Sequence, residues 1–530
     1  MADSPAARLP AQISTAQPAM AQPAPARPAP RATSNRSTTP ASEAFARYIA
    51  SGWAERADPL PAPRAQAPYA AARRARISAL HPGRRIVIPA GRAKVRSNDT
   101  DYPFRAHSAF SHLTGWGADA VPGSVLVLEP VVDGADGHGA EGHSAESHSA
   151  DGHRATLYYR HPAGRDSSEF YANPEIGEFW IGPRPSPAHV AADLALATAP
   201  LEELEAVLAL ADADTLVVRD ADPALTDRVD GIRLLAATAA DADGDGDREL
   251  ARDLSELRLV KDGYELGELR AAVAATAQGF EDVVAELPQI VAHPRGERLV
   301  EGTFNRRARA EGNQVGYDTI AASGEHACVL HWTRNDGPVA PGDLILIDAG
   351  VELDSLYTAD ITRTLPVSGR FTTVQRRVYE TVREAADAAF AIVRPGIRFR
   401  EVHAEAMRVI ATRTAEWGLL PVSAAEALDP EHQHHRRYMV HGTSHHLGLD
   451  VHDCAAARRE LYLDGVLEPG MVFTIEPGLY FQPDDLTVPE EYRGIGVRIE
   501  DDILVTESGA ENLSIGIPRT ADDVEAWLER

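Results

Sequence analysis

Apolar and polar positions along this chain follow two different periods. Between about residue 46 and residue 250, runs such as "RRIVIPAG", "GSVLVLEPVV", "ATLYYRHP" and "DTLVVRDA" have the length and β-branched content of strands. Between them, Ala/Leu-rich text such as "AADLALATAPLEELEAVLALA" reads as helix. Strands alternating with helices predict an α/β domain over 46–252. Beyond a charged stretch the period changes. Leu266, Leu269, Val273, Ala277, Phe280, Val284 and Leu287 step by three or four, which keeps one face of a long helix on a core. Val378, Val382, Ala385, Ala389 and Ile392 predict a second helix of the same kind among short strands, so 253–530 reads as an α+β domain.

Composition sets the outer limits of this picture. Residues 1–45 are rich in Pro, Ala, Ser and Gln and carry almost no large apolar side chains, so they read as a disordered tail. The remaining length is enough for two domains with substantial cores, as an enzyme requires. Lys plus Arg total 52 against 79 Asp plus Glu, and the formal net charge of −27 repels nucleic acid and anionic lipid. Two cysteines, Cys328 and Cys454, give no disulfide framework and suit a reducing compartment. No apolar run has the ~20 residues that cross a bilayer, and no secretory signal is visible. The expected location is the cytoplasm, with no nucleic-acid and no membrane partner.

Two inserts imitate metal sites. In 133–154 histidines recur every five residues, at His138, His143, His148 and His153, amid Gly, Ser, Ala and Asp that supply no rigid frame; this reads as a solvated hairpin extension. "DADGDGDREL" places Asp241, Asp243, Asp245 and Gly246 as a calcium loop would, but Arg252 stands where the bidentate glutamate belongs. It reads as an acidic linker.

The second domain holds the more demanding residues. Asp348 ends the apolar run "DLILID", and Asp360 lies in "YTADITRT". Glu476 in "MVFTIEPGLY" and Glu500 in "GIGVRIEDDILV" interrupt apolar strands, and His445 lies in "VHGTSHHLGLDVHD". Buried carboxylates without a partner are costly, and four in one place raise one another's pKa unless cations neutralise them. Two divalent ions ~3.5–4 Å apart would do so, sharing a water acidified into a nucleophile. An oxygen-rich set with one imidazole suits Mn²⁺ better than a structural zinc site. Arg498 lies two residues before Glu500, on the same face of a strand, where it can orient a carboxylate or line a pocket.

The series "ASGEHACVLH", "LILIDAGVELDSLYTADITRTLPVSGRF", "VHGTSHHLGLDVHD", "LEPGMVFTIEPGLYF" and "YRGIGVRIEDDILVTESG" resembles the metallopeptidases of the pita-bread fold, most closely the aminopeptidase P family, which removes an N-terminal residue preceding proline. "RSNDTDYPFRAHSAFSHLTGW" is similar to a segment of that family's first domain. The resemblance implies a creatinase-like α/β domain followed by a pita-bread catalytic domain, and peptide substrates with proline at position two. It implies Asp348, Asp360, His445, Glu476 and Glu500 as ligands of two metal ions, with Asp360 and Glu500 bridging. Four further residues match the family's catalytic positions. His331 and His441 would stabilise substrate and intermediate, His452 would bond the substrate near the scissile amide, Arg498 would line the site, and Glu476 would also move the proton. Tyr480 and Asp99 are expected among the substrate contacts, Asp99 across a subunit boundary of a homo-oligomer, a dimer or tetramer. His432, His434, His435 and His446 read as structural, although His446 stands where a bulky aromatic is common and would reshape a pocket wall. The competing readings are a prolidase restricted to Xaa-Pro dipeptides, a non-catalytic pita-bread binding module, and a cysteine nucleophile at Cys454 beside His452.

Overall fold

The computed structural model describes residues 39–40, 42–54, 57, 59–98, 100–131, 152–183, 185–236 and 245–529. These form two compact units, a small one from residues up to 54 with 163–182 and a large one from 55–162 with 183–530. In the small unit the helix Glu43–Ile49, capped by Ser42, begins two residues before the boundary expected for the tail. Its Phe45 meets Tyr171 edge to face at 5.2 Å. Residues 1–38 and 41 of the tail lie outside the described residues.

The first part of the large unit is built on a five-stranded sheet ordered Ala197–Pro200, His153–Tyr159, Val125–Pro130, Ile86–Pro89 and Leu216–Val217. The inner pairs are antiparallel and the two edge strands parallel. Each of the four strand-like runs therefore supplies one strand. The Ala/Leu-rich stretch is not one helix. Its first helix, Pro187–Leu194, stops at Ala195, which takes φ 47°, and Ala197–Pro200 then joins the sheet edge before Leu204–Leu208 turns helical again. Pro200 cannot donate in a helix interior, and the open edge beside His153–Tyr159 claims the residues before it. The acidic linker also differs from expectation. Asp245 and Gly246 begin the helix Asp245–Glu256, which carries Arg252; residues 237–244 lie outside the described set.

The second part of the large unit pairs two helical hairpins with short antiparallel sheets around one core. The helix Gly263–Val291 starts at a capping box, with Asp262 accepting from Tyr264 and Glu265. Leu269, Ala272, Val273, Phe280, Val283 and Ile290 are its buried apolar side chains, while Leu266, Ala277, Val284 and Leu287 flank them half-buried. Phe280 meets Phe304 of the helix Gly296–Glu311 at 5.9 Å, over Gly279. The helix Thr373–Ile392, with its own Thr372/Gln375 capping box, packs on Phe399–Glu416.

Between these helices lie the strands that carry the acidic residues. Leu344–Ala349 sits between Ile320–Ser323 and Ile361–Pro366, with Asp348 opposite Thr362. The hairpin joining Asp348 to Asp360 turns through Leu353–Tyr357 with Leu356 left-handed at φ 72°. It closes so tightly that a Cβ on Gly350 would sit 1.7 Å from the Ala359 carbonyl oxygen. Val472–Ile475 and Gly478–Tyr480 are separate short strands, paired respectively with Asp501–Val505 and Gly496–Arg498. Glu476 and Glu500 thus lie in the breaks between strands rather than inside them, which frees their side chains from the sheet faces. Among the described residues no helix is long and apolar enough to cross a membrane.

Candidate metal centre

The fold brings the five expected donors to one pocket of about 720 Å³. Backbone hydrogen bonds set them side by side: Glu476 N–H donates to the Thr443 carbonyl, Thr474 N–H to His445, and Glu500 N–H to Thr362, at 2.8–3.1 Å. Side-chain atoms of Asp360, His445 and Glu500 lie within 4.8 Å of one another. His445 Nε2 is 3.3 Å from Asp360, 3.4 Å from Glu476 and 4.0 Å from Glu500. Asp348 joins them through Tyr317, whose hydroxyl lies 2.7 Å from Asp348 Oδ1 and 2.5 Å from Asp360 Oδ1.

The electrostatics of this cluster call for cations. Burial, reinforced by neighbouring carboxylates, pushes Glu500 well above the usual carboxylate range and Glu476 up to about 7; burial raises Asp348 too, against the pull of Arg498. Burial disfavours a charged His445, yet its hydrogen bond to Asp360 and the charge of Glu476 raise it to about 9. In the absence of metal, protons thus compensate this cage imperfectly. Four carboxylates and an imidazole, mutually within reach and short of positive charge, fit divalent ions.

Arg498 is the one guanidinium built into the cluster among the described residues. It is 4% exposed and donates to Asp348 Oδ2 (2.5 Å), Tyr480 OH (3.2 Å) and Thr362 Oγ1 (3.1 Å). It therefore orients a carboxylate, one of the two roles open to it from the sequence. Thr362 Oγ1 in turn donates to Glu500 at 2.7 Å. His441 has Nδ1 2.6 Å from the Gly442 carbonyl and Nε2 2.8 Å from Tyr480 OH, so Nδ1–H donates and Nε2 accepts. Burial, aided by Arg498, lowers its pKa to about 3 and keeps it neutral. His331 and His452 are exposed on the pocket wall, and the His452 ring meets that of His445 at 4.3 Å.

Some expected residues stand elsewhere. Asp99 lies outside the described residues, as do His138, His143 and His148. His153 is a buried strand residue bonded to the Arg84 carbonyl at 2.7 Å, so it is no part of a metal-binding repeat. His446 does not form a pocket wall: it is buried among Phe399, Tyr462 and Phe473. The nucleophile reading of Cys454 fails, because the residue is 0% exposed and burial pushes its thiol up to about 12. Tyr317 and Thr362 are participants that sequence reasoning missed. Thr362 was signalled only by lying two residues after Asp360, and Tyr317, in "GYDTI", by nothing more than its place before a strand.

Comparison with known proteins agrees with this geometry. The profile of metallopeptidase family M24 matches residues 267–507, and that of the aminopeptidase P N-terminal domain matches 69–218. Xaa-Pro aminopeptidase 2 of Streptomyces coelicolor is 51% identical over 490 residues, 92% of this chain and 97% of the relative. A variant of Escherichia coli aminopeptidase P solved in complex with substrate superposes with a TM-score of 0.70 at 31% identity, covering 86% of this chain and 97% of that one. The aminopeptidase PepP of Pseudomonas aeruginosa gives 0.72 at 29% identity, with 88% and 99% covered.

Proposed function

The chain belongs to metallopeptidase family M24, among its Xaa-Pro aminopeptidases, and from that premise we propose that it releases the N-terminal residue of peptides with proline at position two. The observation that carries this reading is the convergence of Asp348, Asp360, His445, Glu476 and Glu500 in one pocket with too little positive charge among them. These five would hold two divalent ions, and the oxygen-rich set suits Mn²⁺. Such ions, when bound, acidify a water and polarise the scissile carbonyl.

The remaining steps belong to the chain's own groups. Glu476, which lines the pocket beside His445 and His441, would take a proton and pass it toward the imino nitrogen of the departing proline. Neutral His441, buttressed by Tyr480, and the exposed His331 and His452 face substrate and the developing oxyanion. Arg498 aims Asp348 and favours its ionised form against the burial that opposes it. A contact of Asp99 with the substrate amine, a dimer or tetramer, and a cytoplasmic location belong to the same proposal.

Metal-stripped protein, with and without Mn²⁺, tests it on an Xaa-Pro dipeptide, an Xaa-Pro-Yaa tripeptide and the matched Xaa-Ala-Yaa tripeptide. The expected result is metal-dependent hydrolysis favouring the proline tripeptide. Hydrolysis of the dipeptide alone would make the chain a prolidase, and no preference for proline would overturn the assignment.

A further inference from the structure

One buried charge takes no part in the steps above. Glu297, in the first turn of the helix Gly296–Glu311, is 0% exposed and lies outside the pocket lining. Its carboxylate accepts four hydrogen bonds, all from a single loop. Ser323 N–H (2.9 Å) and His326 Nδ1 (2.8 Å) reach Oε1, while Trp332 Nε1–H (3.0 Å) and Gly337 N–H (2.6 Å) reach Oε2. The rings of His326 and Trp332 stack with centroids 3.9 Å apart, closing the hoop. Residues 323–337 are thereby drawn from both ends onto one side chain.

At the inner rim of this hoop stands His331, exposed and lining the pocket, one residue from Trp332. No hydrogen bond from a described residue holds its ring, so the backbone on either side sets where the imidazole stands. Asn335, left-handed at φ 47°, adds a tie by accepting from Ala321 N–H and donating to the Thr319 carbonyl. Both Glu297 oxygens are fully used by two donors each, an arrangement only an acceptor-only carboxylate provides. A glutamine would turn one oxygen into an NH₂ facing two N–H groups.

We propose that Glu297 is a positioning residue for the reaction, holding His331 at the substrate by clamping both ends of its loop. This rests on the substrate-facing role given to His331 above. Small displacements of a positioned group cost up to about 100-fold in rate.

The test is a double-mutant cycle on the full-length, metal-loaded enzyme, with a Xaa-Pro-Yaa tripeptide and rates normalised to bound metal. Glu297→Gln is expected to lower kcat/KM about 10- to 100-fold with the bound-metal stoichiometry unchanged. In a His331→Ala background the same substitution is expected to cost less than about twofold, because the group it positions is gone. Losses that multiply in the double variant, or a Glu297→Gln enzyme within about twofold of wild type, overturn the proposal. If Glu297→Gln does not accumulate folded, Trp332→Phe removes the donor nearest His331. It is expected to cost about fivefold, with the same non-additivity. A His331→Ala enzyme as active as wild type would instead refute the role of His331, and this proposal with it.

Discussion

Replacing Tyr317 with phenylalanine removes one oxygen from the middle of the centre and nothing else. The residue is half-buried on the pocket wall, and its hydroxyl is the sole described side-chain group bonded to both Asp348 Oδ1 and Asp360 Oδ1, at 2.7 and 2.5 Å. Burial, with those carboxylates, holds the phenol far above its usual pKa, so it acts as a neutral donor. A hydrogen bond to a charged acceptor contributes about 1.5–3 kcal/mol. With about 1.4 kcal/mol per tenfold, its loss corresponds to roughly 10- to 100-fold in the affinity of an ion held by these carboxylates, the range found for groups that orient metal ligands. Arg498 still fixes the far oxygen of Asp348, so the lower half of that range is expected. The assay is a competition titration of Mn²⁺ against a chelating indicator, with activity followed against free metal. Affinity and metal-activation midpoint both shifting tenfold or more would bear out the bridging role. An affinity within about twofold of wild type would refute it, showing that the two carboxylates are held by their strands alone.

Metal binding should release protons: with His445 near 9 and Glu476 near 7 in the metal-free protein, apparent affinity rises with pH from about 6 to 9, and calorimetry in buffers of different ionisation enthalpy should count at least one proton released at neutral pH. Arg363 is 0% exposed and donates to Asp501 (2.8 Å) and to the carbonyls of Glu500, Thr362 and Pro518. Arg363→Met leaves Asp501 with Arg519 as its remaining cationic partner, at 3.0 Å, and three carbonyls without their donor, so it should cost about 3 kcal/mol in denaturant unfolding, the low end for a broken buried pair; an effect below about 1 kcal/mol would contradict the account. Burial opposes ionisation of Glu265, yet the close approach of His112, at 3.4 Å, and the charges of Arg73 and Lys261 lower it to about 2. Its folded value lies below the unfolded one, so its stabilisation is complete above about pH 4.5 and fades as pH falls toward 2. Acid unfolding of Glu265→Gln should be flatter across that window than that of wild type.

The alternation of short strands and the three- and four-residue stepping of the long helices were legible in the residues, because each depends on neighbours within a few positions. The stretch 191–211 was not, since Ala and Leu satisfy helix and sheet edge alike and the vacant edge beside His153–Tyr159 chose. His446 was read as structural and is, its ring buried in the cluster of Phe399 and Phe473; only the reshaped pocket wall does not follow. Tyr317 and Glu297 carry no local mark at all: one is a tyrosine before a strand, the other a glutamate in a helical first turn.

By itself the chain's order of residues determined which groups could do the chemistry, because an acid set into an apolar run is costly wherever it folds and so declares a compensating ion. Only the tertiary structure decided their mutual distances and their supports. Those depend on strands more than a hundred residues apart being hydrogen-bonded side by side, as Thr362 is to Glu500, and no local pattern encodes such a pairing.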